Sequence, residues 1–290
     1  MKYDFNTKKL ESRIQINVDC WLSPAGSKIS IYKMSGKQST TCITTAKTVG
    51  KKIEEIKTGD ILLLSKVSCE VATTRGAFYT VNGSRYFDVP LEQIMGTFVN
   101  DITFDSLVML GKNILFEKLE KRLSATLLTT ESSTTIGRVL KAGPKANVKC
   151  GDIILVRDNV STPISLSGST YYATESKFVV GIIEDTEYLE NVGIINGYVL
   201  MEPYISHNVL NSTLLETAEI DYNSLDYSDV NNRDLFKVVY ADKTLNNVKI
   251  DDIILVNRDY TNYVYYNNKK YFVIDNKKWI AGKIIERDKK

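Results

Sequence analysis

The chain has 290 residues, with 37 basic and 35 acidic side chains, one histidine and a net charge of +2. That balance leaves no electrostatic footprint for nucleic acid, and no apolar run approaches the roughly 20 residues that a membrane-spanning helix requires. With 43% hydrophobic and 25% charged residues the composition is that of an ordinary globular protein, and the length allows two or three domains.

The first residues, Met1-Lys2-Tyr3-Asp4-Phe5-Asn6, lack the apolar segment of a secretory signal. Ile14-Gln15-Ile16-Asn17-Val18-Asp19 and Lys28-Ile29-Ser30-Ile31-Tyr32 alternate with a period of two around a Ser23-Pro24-Ala25-Gly26 turn. They predict an N-terminal arm and hairpin over residues 1–34. A first β unit follows over 35–104, with a long projecting loop around Arg75. Residues 105–122 read as a connector, broken at Leu110-Gly111-Lys112-Asn113, with a short helix from 114 to 122. A second unit covers 123–186 and a third covers 187–290. The third carries an insertion over 203–234 that is rich in carboxylates (Glu216, Glu219, Asp221, Asp226, Asp229, Asp234). Loops that long inside compact domains usually have a function or lack order.

The three units are copies. Ile56-Lys57-Thr58-Gly59-Asp60-Ile61-Leu62-Leu63-Leu64 recurs as Val148-Lys149-Cys150-Gly151-Asp152-Ile153-Ile154-Leu155-Val156 and as Val248-Lys249-Ile250-Asp251-Asp252-Ile253-Ile254-Leu255-Val256. A second block confirms the register. Asn82-Gly83, Ser167-Gly168 and Asn267-Asn268 each precede an aromatic pair (Tyr86-Phe87, Tyr171-Tyr172, Tyr271-Phe272), then a strand holding Gly96, Gly181 or Gly282. A Gly-Asp pair before four apolar residues is a turn entering a buried strand, and Asn-Gly between β-rich runs is a tight hairpin. The strand glycines predict a bulge or bend where a barrel closes. Self-similarity of this kind marks a repeat architecture.

The order of these segments, together with Ile136-Gly137-Arg138-Val139-Leu140-Lys141-Ala142-Gly143-Pro144 ahead of the second copy, resembles the GroES-type co-chaperonin family. The likeness covers about two-thirds of the chain and is clearer in the second and third copies than in the first. It implies an all-β fold of three tandem small GroES-like β barrels joined by short connectors.

The sequence offers no constellation for catalysis. His207 stands alone, and no phosphate-binding loop, nucleophile elbow or Cys-x-x-Cys pair occurs. Cys20, Cys42, Cys69 and Cys150 read as inert thiols. Gly59, Asp60, Gly151, Asp152, Asp251 and Asp252 read as structural turn residues, the aspartates satisfying backbone donors ahead of each strand. The expected function is a non-enzymatic structural subunit of a large assembly. Usage rich in Lys, Asn, Ile and Tyr fits an AT-rich genome such as many phages or low-GC bacteria have, and a phage virion protein is expected, a capsid decoration or head or tail connector component assembled in the host cytoplasm. Its partners are proteins, itself or shell and connector subunits. No cofactor, metal, small-molecule substrate, specific nucleic acid or membrane is expected. The candidate contacts are Met1 and Phe5 in the arm, Arg75 in the loop, and Leu214 and Leu215 in the insertion. The alternative is a cap for a chaperonin ring, with Leu214-Leu215 as the docking pair.

Overall fold

The structure is a computed structural model that describes residues 12–22, 28–29, 42–65, 67–69, 78–119, 135–185, 190–204, 233–257, 261–267, 269–274 and 280–284. Runs of Ile, Val, Leu, Tyr and Phe bounded by Gly, Asn and Asp turns form strands, because branched and aromatic side chains fit a pleated, half-buried surface.

The first module contains β1 (Arg13–Leu22), β2 (Lys28–Ile29), β3 (Ile43–Val49), β4 (Ile61–Leu64), β5 (Tyr79–Val81), β6 (Ser84–Pro90), β7 (Ile94–Phe98) and β8 (Leu107–Met109). Its sheet runs β5-β6-β1-β3-β4-β7-β8, with β2 paired to β1. The second contains β9 (Asn113–Lys118), β10 (Ile136–Ala142), β11 (Ile153–Val156), β12 (Thr162–Leu166), β13 (Ser169–Glu175), β14 (Val179–Asp185) and β15 (Glu190–Ile194), in the order β12-β13-β9-β10-β11-β14-β15. The third contains β16 (Val199–Pro203), β17 (Arg233–Ala241), β18 (Ile253–Asn257), β19 (Asn262–Tyr266), β20 (Lys269–Ile274) and β21 (Ile280–Ile284), in the order β19-β20-β16-β17-β18-β21. With β2 set aside, one path is traced three times: fourth, fifth, first, second, third and sixth strand. The first two modules add a seventh strand beside the sixth.

The protein is therefore all-β, in three antiparallel sheets. Closed barrels do not form: among the described residues the end strands of each sheet do not pair with each other. In the first sheet both end strands, β5 and β8, have three residues, too few for a closing ladder. The expected bulge is present at two of the strand glycines, but it closes no barrel, and Gly96 and Gly181 also make room for a neighbouring strand. A Cβ at Gly96 would lie 2.7 Å from the Val108 carbonyl oxygen, and one at Gly181 would lie 2.5 Å from Val192 Cγ2. Each glycine lets the seventh strand sit against the sixth. A register shift accompanies the glycine in the first and third modules, between Leu63 and Leu64 and between Leu255 and Val256. The hairpins are tight, as their sequences predict, with positive φ at Asn82 and Gly83, at Ser167 and Gly168, and at Asn267.

Two segments lie elsewhere than expected. β1 does form a short hairpin with β2, but it is also an interior strand of the first sheet, paired to β3 and β6. Residues 114–118, expected at the start of a connector helix, belong with Asn113 to β9, which lies between β13 and β10. Asn113, Ile114, Leu115 and Phe116 are all buried. A strand covered on both faces shows no alternation, and a short apolar run of that kind cannot be told from a helix by periodicity.

The chain divides into two compact units, residues 1–154 with 159–179, and residues 155–158 with 180–290. In the first unit one core joins two modules: Ile14, Ile16, Leu62, Leu63 and Val89 belong to the same buried cluster as Leu115, Ile164, Leu166 and Ala173. In the second unit Val199, Met201, Phe236, Val238, Ile254 and Phe272 form the core of the third sheet. Modules this small are near the lower size limit for an independent core, and sharing one lets each bury more apolar surface.

Ile154 is fully buried in β11. Replacing it by Asp is expected to lower stability by about 4 kcal/mol or more, since the carboxylate has no partner there. Urea unfolding of the variant checks this.

Candidate functional site

The sites that recur three times are turns, and their geometry is nearly identical. The Lys57, Lys149 and Lys249 backbone N–H groups each donate to the Oδ2 of Asp60, Asp152 or Asp252, at 2.7 Å in all three modules. The aspartate N–H returns the bond to the lysine carbonyl, and the aspartate carbonyl accepts from Ala46, Val139 or Val238 at 2.9 Å. The preceding residue reverses the chain with positive φ: Gly59 at +99°, Gly151 at +95° and Asp251 at +70°. In the third module the Asp251 carboxylate is free to reach Lys237 Nζ at 2.8 Å. All six turn residues singled out from the sequence thus shape the backbone ahead of β4, β11 and β18.

A second recurring device ties each second strand to its first. The N–H of Gly50, Gly143 or Asp242 donates to the carbonyl of Arg13, Asn113 or Tyr198, at 3.0, 2.8 and 3.0 Å. Gly143 is required by close approach, because a Cβ would lie 2.5 Å from the Gly111 carbonyl oxygen. In the third module a side chain occupies this position. The Asp242 carboxylate accepts from the Gly197 N–H at 2.6 Å and the Thr244 N–H at 2.8 Å. Burial pushes its pKa up, but these two backbone donors together with the Thr244 side chain outweigh burial and hold it below the ordinary aspartate value.

The surroundings of the two seventh strands differ. At β8, Lys141 Nζ donates to the Leu107 carbonyl at 2.7 Å and the Asp105 carbonyl at 3.1 Å. The amine lies 4.7 Å from the centroid of Phe104, whose ring packs 5.0 Å from Tyr171. At β15 a cleft of about 840 Å³ opens instead, lined by Glu184, Val192, Gly193, Tyr240, Lys243 and Tyr266 among others. Tyr240 meets the ring of Tyr266 edge-on, with centroids 6.2 Å apart. A smaller cleft of about 560 Å³ in the first unit is lined by Gln93, Met95, Asn113, Thr174, Lys177 and Phe178 among others. There Asn113 Nδ2 donates to the Ile94 and Leu110 carbonyls, fastening the second module's first strand to the first module.

Met1, Phe5, Arg75, Leu214, Leu215 and His207 lie outside the described residues, as does the insertion 203–234 apart from residues 203, 204, 233 and 234 at its ends. Of the cysteines, Cys42 and Cys69 are buried, Cys20 is half-buried and Cys150 is exposed, its Sγ donating to the Leu140 carbonyl. Among the described residues no cluster of three or more His, Cys, Asp or Glu side chains is arranged to hold a metal, and no helix is long and apolar enough to cross a membrane. Sequence reasoning passed over Lys141, Asp242, Glu184 and Tyr240. The repeat alignment held the signal, since Lys141 and Tyr240 share one column and Gly143 and Asp242 another. The hydrogen-bond partners of Lys141 and Asp242 lie 34 and 45 residues away, so no local pattern marks them.

No protein-family model matches this chain, and no curated protein matches it significantly in sequence.

Asp60→Ala, Asp152→Ala and Asp252→Ala are each expected to cost about 1 kcal/mol, the net worth of one hydrogen bond, by similar amounts in urea unfolding. Asp242 should make stability depend on pH. Its folded pKa lies below the unfolded value of 3.8, so its contribution is complete above about pH 4 and is lost as pH falls through the folded value. Asp242→Asn should flatten that acid limb in unfolding curves taken between about pH 2 and 5.

Proposed function

We propose that this chain is a non-enzymatic structural subunit of a large assembly, a virion protein of the phage kind, which joins copies of itself by strand addition. The supporting observation is β21. In the first two modules the sixth strand is paired to a seventh, which lies just ahead of the next module's first strand. Among the described residues β21, the third module's sixth strand, has no neighbour on that side. An edge of this kind offers a row of backbone donors and acceptors to a further strand.

Four of the five other end strands are blunted. β5 and β8 have three residues each, and Lys141 covers the Leu107 carbonyl of β8. β12 contains Pro163, which lacks an N–H. In β19 the Tyr263 carbonyl already accepts from the Asp158 N–H. Among the described residues, the five-residue β21 has no strand paired to its outer side.

The spacing of the repeat supports one occupant, a segment outside the described residues. Asn113, Tyr198 and Arg13 are equivalent, because each carbonyl accepts the same turn N–H. The seventh strands end at Met109 and Ile194, four residues ahead of Asn113 and Tyr198, and β15 begins eight ahead, at Glu190. The same offsets from Arg13 fall on residues 5–9, Phe5-Asn6-Thr7-Lys8-Lys9. These residues of a second copy are assigned to the β21 edge. Such a head-to-tail contact builds a ring if the rotation closes and a filament if it does not. The modules themselves are read as open variants of the co-chaperonin barrel, a reading supported by the Gly-Asp turn and strand glycine at matching places.

Deleting residues 1–11 is expected to leave the modules folded, with unchanged circular dichroism and unfolding midpoint. It should abolish concentration-dependent self-association in light scattering and impair incorporation into particles. Unaltered association and incorporation would refute strand addition by this arm, and absence of the chain from purified particles by mass spectrometry would refute the virion assignment.

A further inference from the structure

The two seventh strands pair with the sixth in the same register, yet their surroundings differ in charge. Gly96 pairs with Met109 and Gly181 with Ile194. The Leu110 N–H donates to the Met95 carbonyl at 2.9 Å, and the Ile195 N–H donates to the Val180 carbonyl at 3.0 Å. This register makes Leu107 the counterpart of Val192. The carbonyl that accepts the Lys141 amine in β8 therefore has its counterpart in the Val192 carbonyl of β15, on the strand's outer side.

Two side-chain positions change together. Val139 and Val238 are equivalent through their bonds to Asp152 and Asp252, so Lys141 corresponds to Tyr240. The third residue after the strand glycine is Val99 in the first module and Glu184 in the second. Where the chain supplies its own amine, the neighbouring position is an apolar valine. Where it supplies an aromatic ring instead, the neighbouring position is a carboxylate, and Glu184 Oε1 lies 3.5 Å from where a Cβ on Gly193 would stand. An outward carbonyl, a carboxylate and a tyrosine ring are the groups that receive an alkylammonium ion, by hydrogen bond, charge and cation–π contact.

We infer that the cleft beside β15 is a binding site for a lysine side chain of a partner protein, whose ammonium group takes the place that Lys141 takes beside β8. That the chain meets a protein partner at all rests on the reading above, whereas the chemistry of the site rests on the comparison of the two strands. Of the other charged groups lining the cleft, Asp242 is already engaged by the Gly197 and Thr244 N–H groups. Lys243 is the one cation among the lining residues, and it selects against a ligand bearing a second positive charge.

The test uses the full chain and Nα-acetyl-lysine N-methylamide as the probe, followed by NMR. The expected result is saturable shifts at Val192, Gly193 and Tyr240. The Nε-acetylated probe, which lacks the charge, should bind at least about tenfold more weakly, a loss of about 1.4 kcal/mol. Glu184→Gln, at an exposed position that leaves the fold intact, should weaken the probe by a similar factor. Tyr240→Lys should abolish binding, because the chain then carries its own amine at this position. Equal response to the acetylated probe, shifts scattered away from β15, or full binding by Glu184→Gln would overturn the assignment. Should Tyr240→Lys fail to fold, the acetylated probe and Glu184→Gln decide it alone. Self-association through β21 is measured on a different surface, so either result can fail without the other.

Discussion

A carboxylate that accepts the N–H three residues before it sets the entry of β4, β11 and β18, and the rest of each module is registered from that point. With Asp152 holding the Lys149 N–H, the Asp152 carbonyl accepts from Val139 and the Gly151 N–H donates back to the Val139 carbonyl. The third strand is thereby locked to the second before any ladder bond is counted. A one-residue slip would turn every side chain of the strand to the opposite face. The apolar quartets Ile61-Leu62-Leu63-Leu64 and Ile153-Ile154-Leu155-Val156 tolerate this well, because most of their members are buried whichever way they point. The turn, rather than the hydrophobic pattern, therefore fixes the register there.

Sharing of a core follows from module size. The first unit packs Leu115, Ile164, Leu166 and Ala173 of the second module into the cluster built on Ile14, Ile16 and Leu63. Asn113 reinforces this by donating to the Ile94 carbonyl, and Phe104 does so by packing on Tyr171. A buried amide bonded to the backbone of another sheet is costly to leave unmatched, so it favours one relative placement of those elements over near alternatives.

Repetition also exposes where the copies have diverged. The backbone bond from the turn to the first strand is kept in all three modules, but the residue that makes it changes from Gly50 and Gly143 to Asp242. Glycine answers a steric demand at Gly143, and aspartate answers an unsatisfied pair of N–H groups at the third module. The edges diverge in the same way, closed by Lys141 at β8, interrupted by Pro163 in β12 and left open at β21. Constant turns with varied edges are what a building block needs when its copies must pack within a chain and yet make selective contacts outside it.

The amino-acid sequence alone determined the threefold repeat, the all-β class, the tight hairpins and the turn role of Asp60, Asp152 and Asp252, because each depends on residues within a few positions of one another. It did not determine that β1 is an interior strand, that residues 114–118 form a strand rather than a helix, or that the sheets stay open. Those outcomes depend on which strands meet, and a run such as Asn113-Ile114-Leu115-Phe116 satisfies a helix or a doubly covered strand equally well until its neighbours are known. Nor did it disclose the pairing of Lys141 with the Leu107 carbonyl, or of Asp242 with the Gly197 N–H, since these partners lie 34 and 45 residues apart and only tertiary folding brings them together.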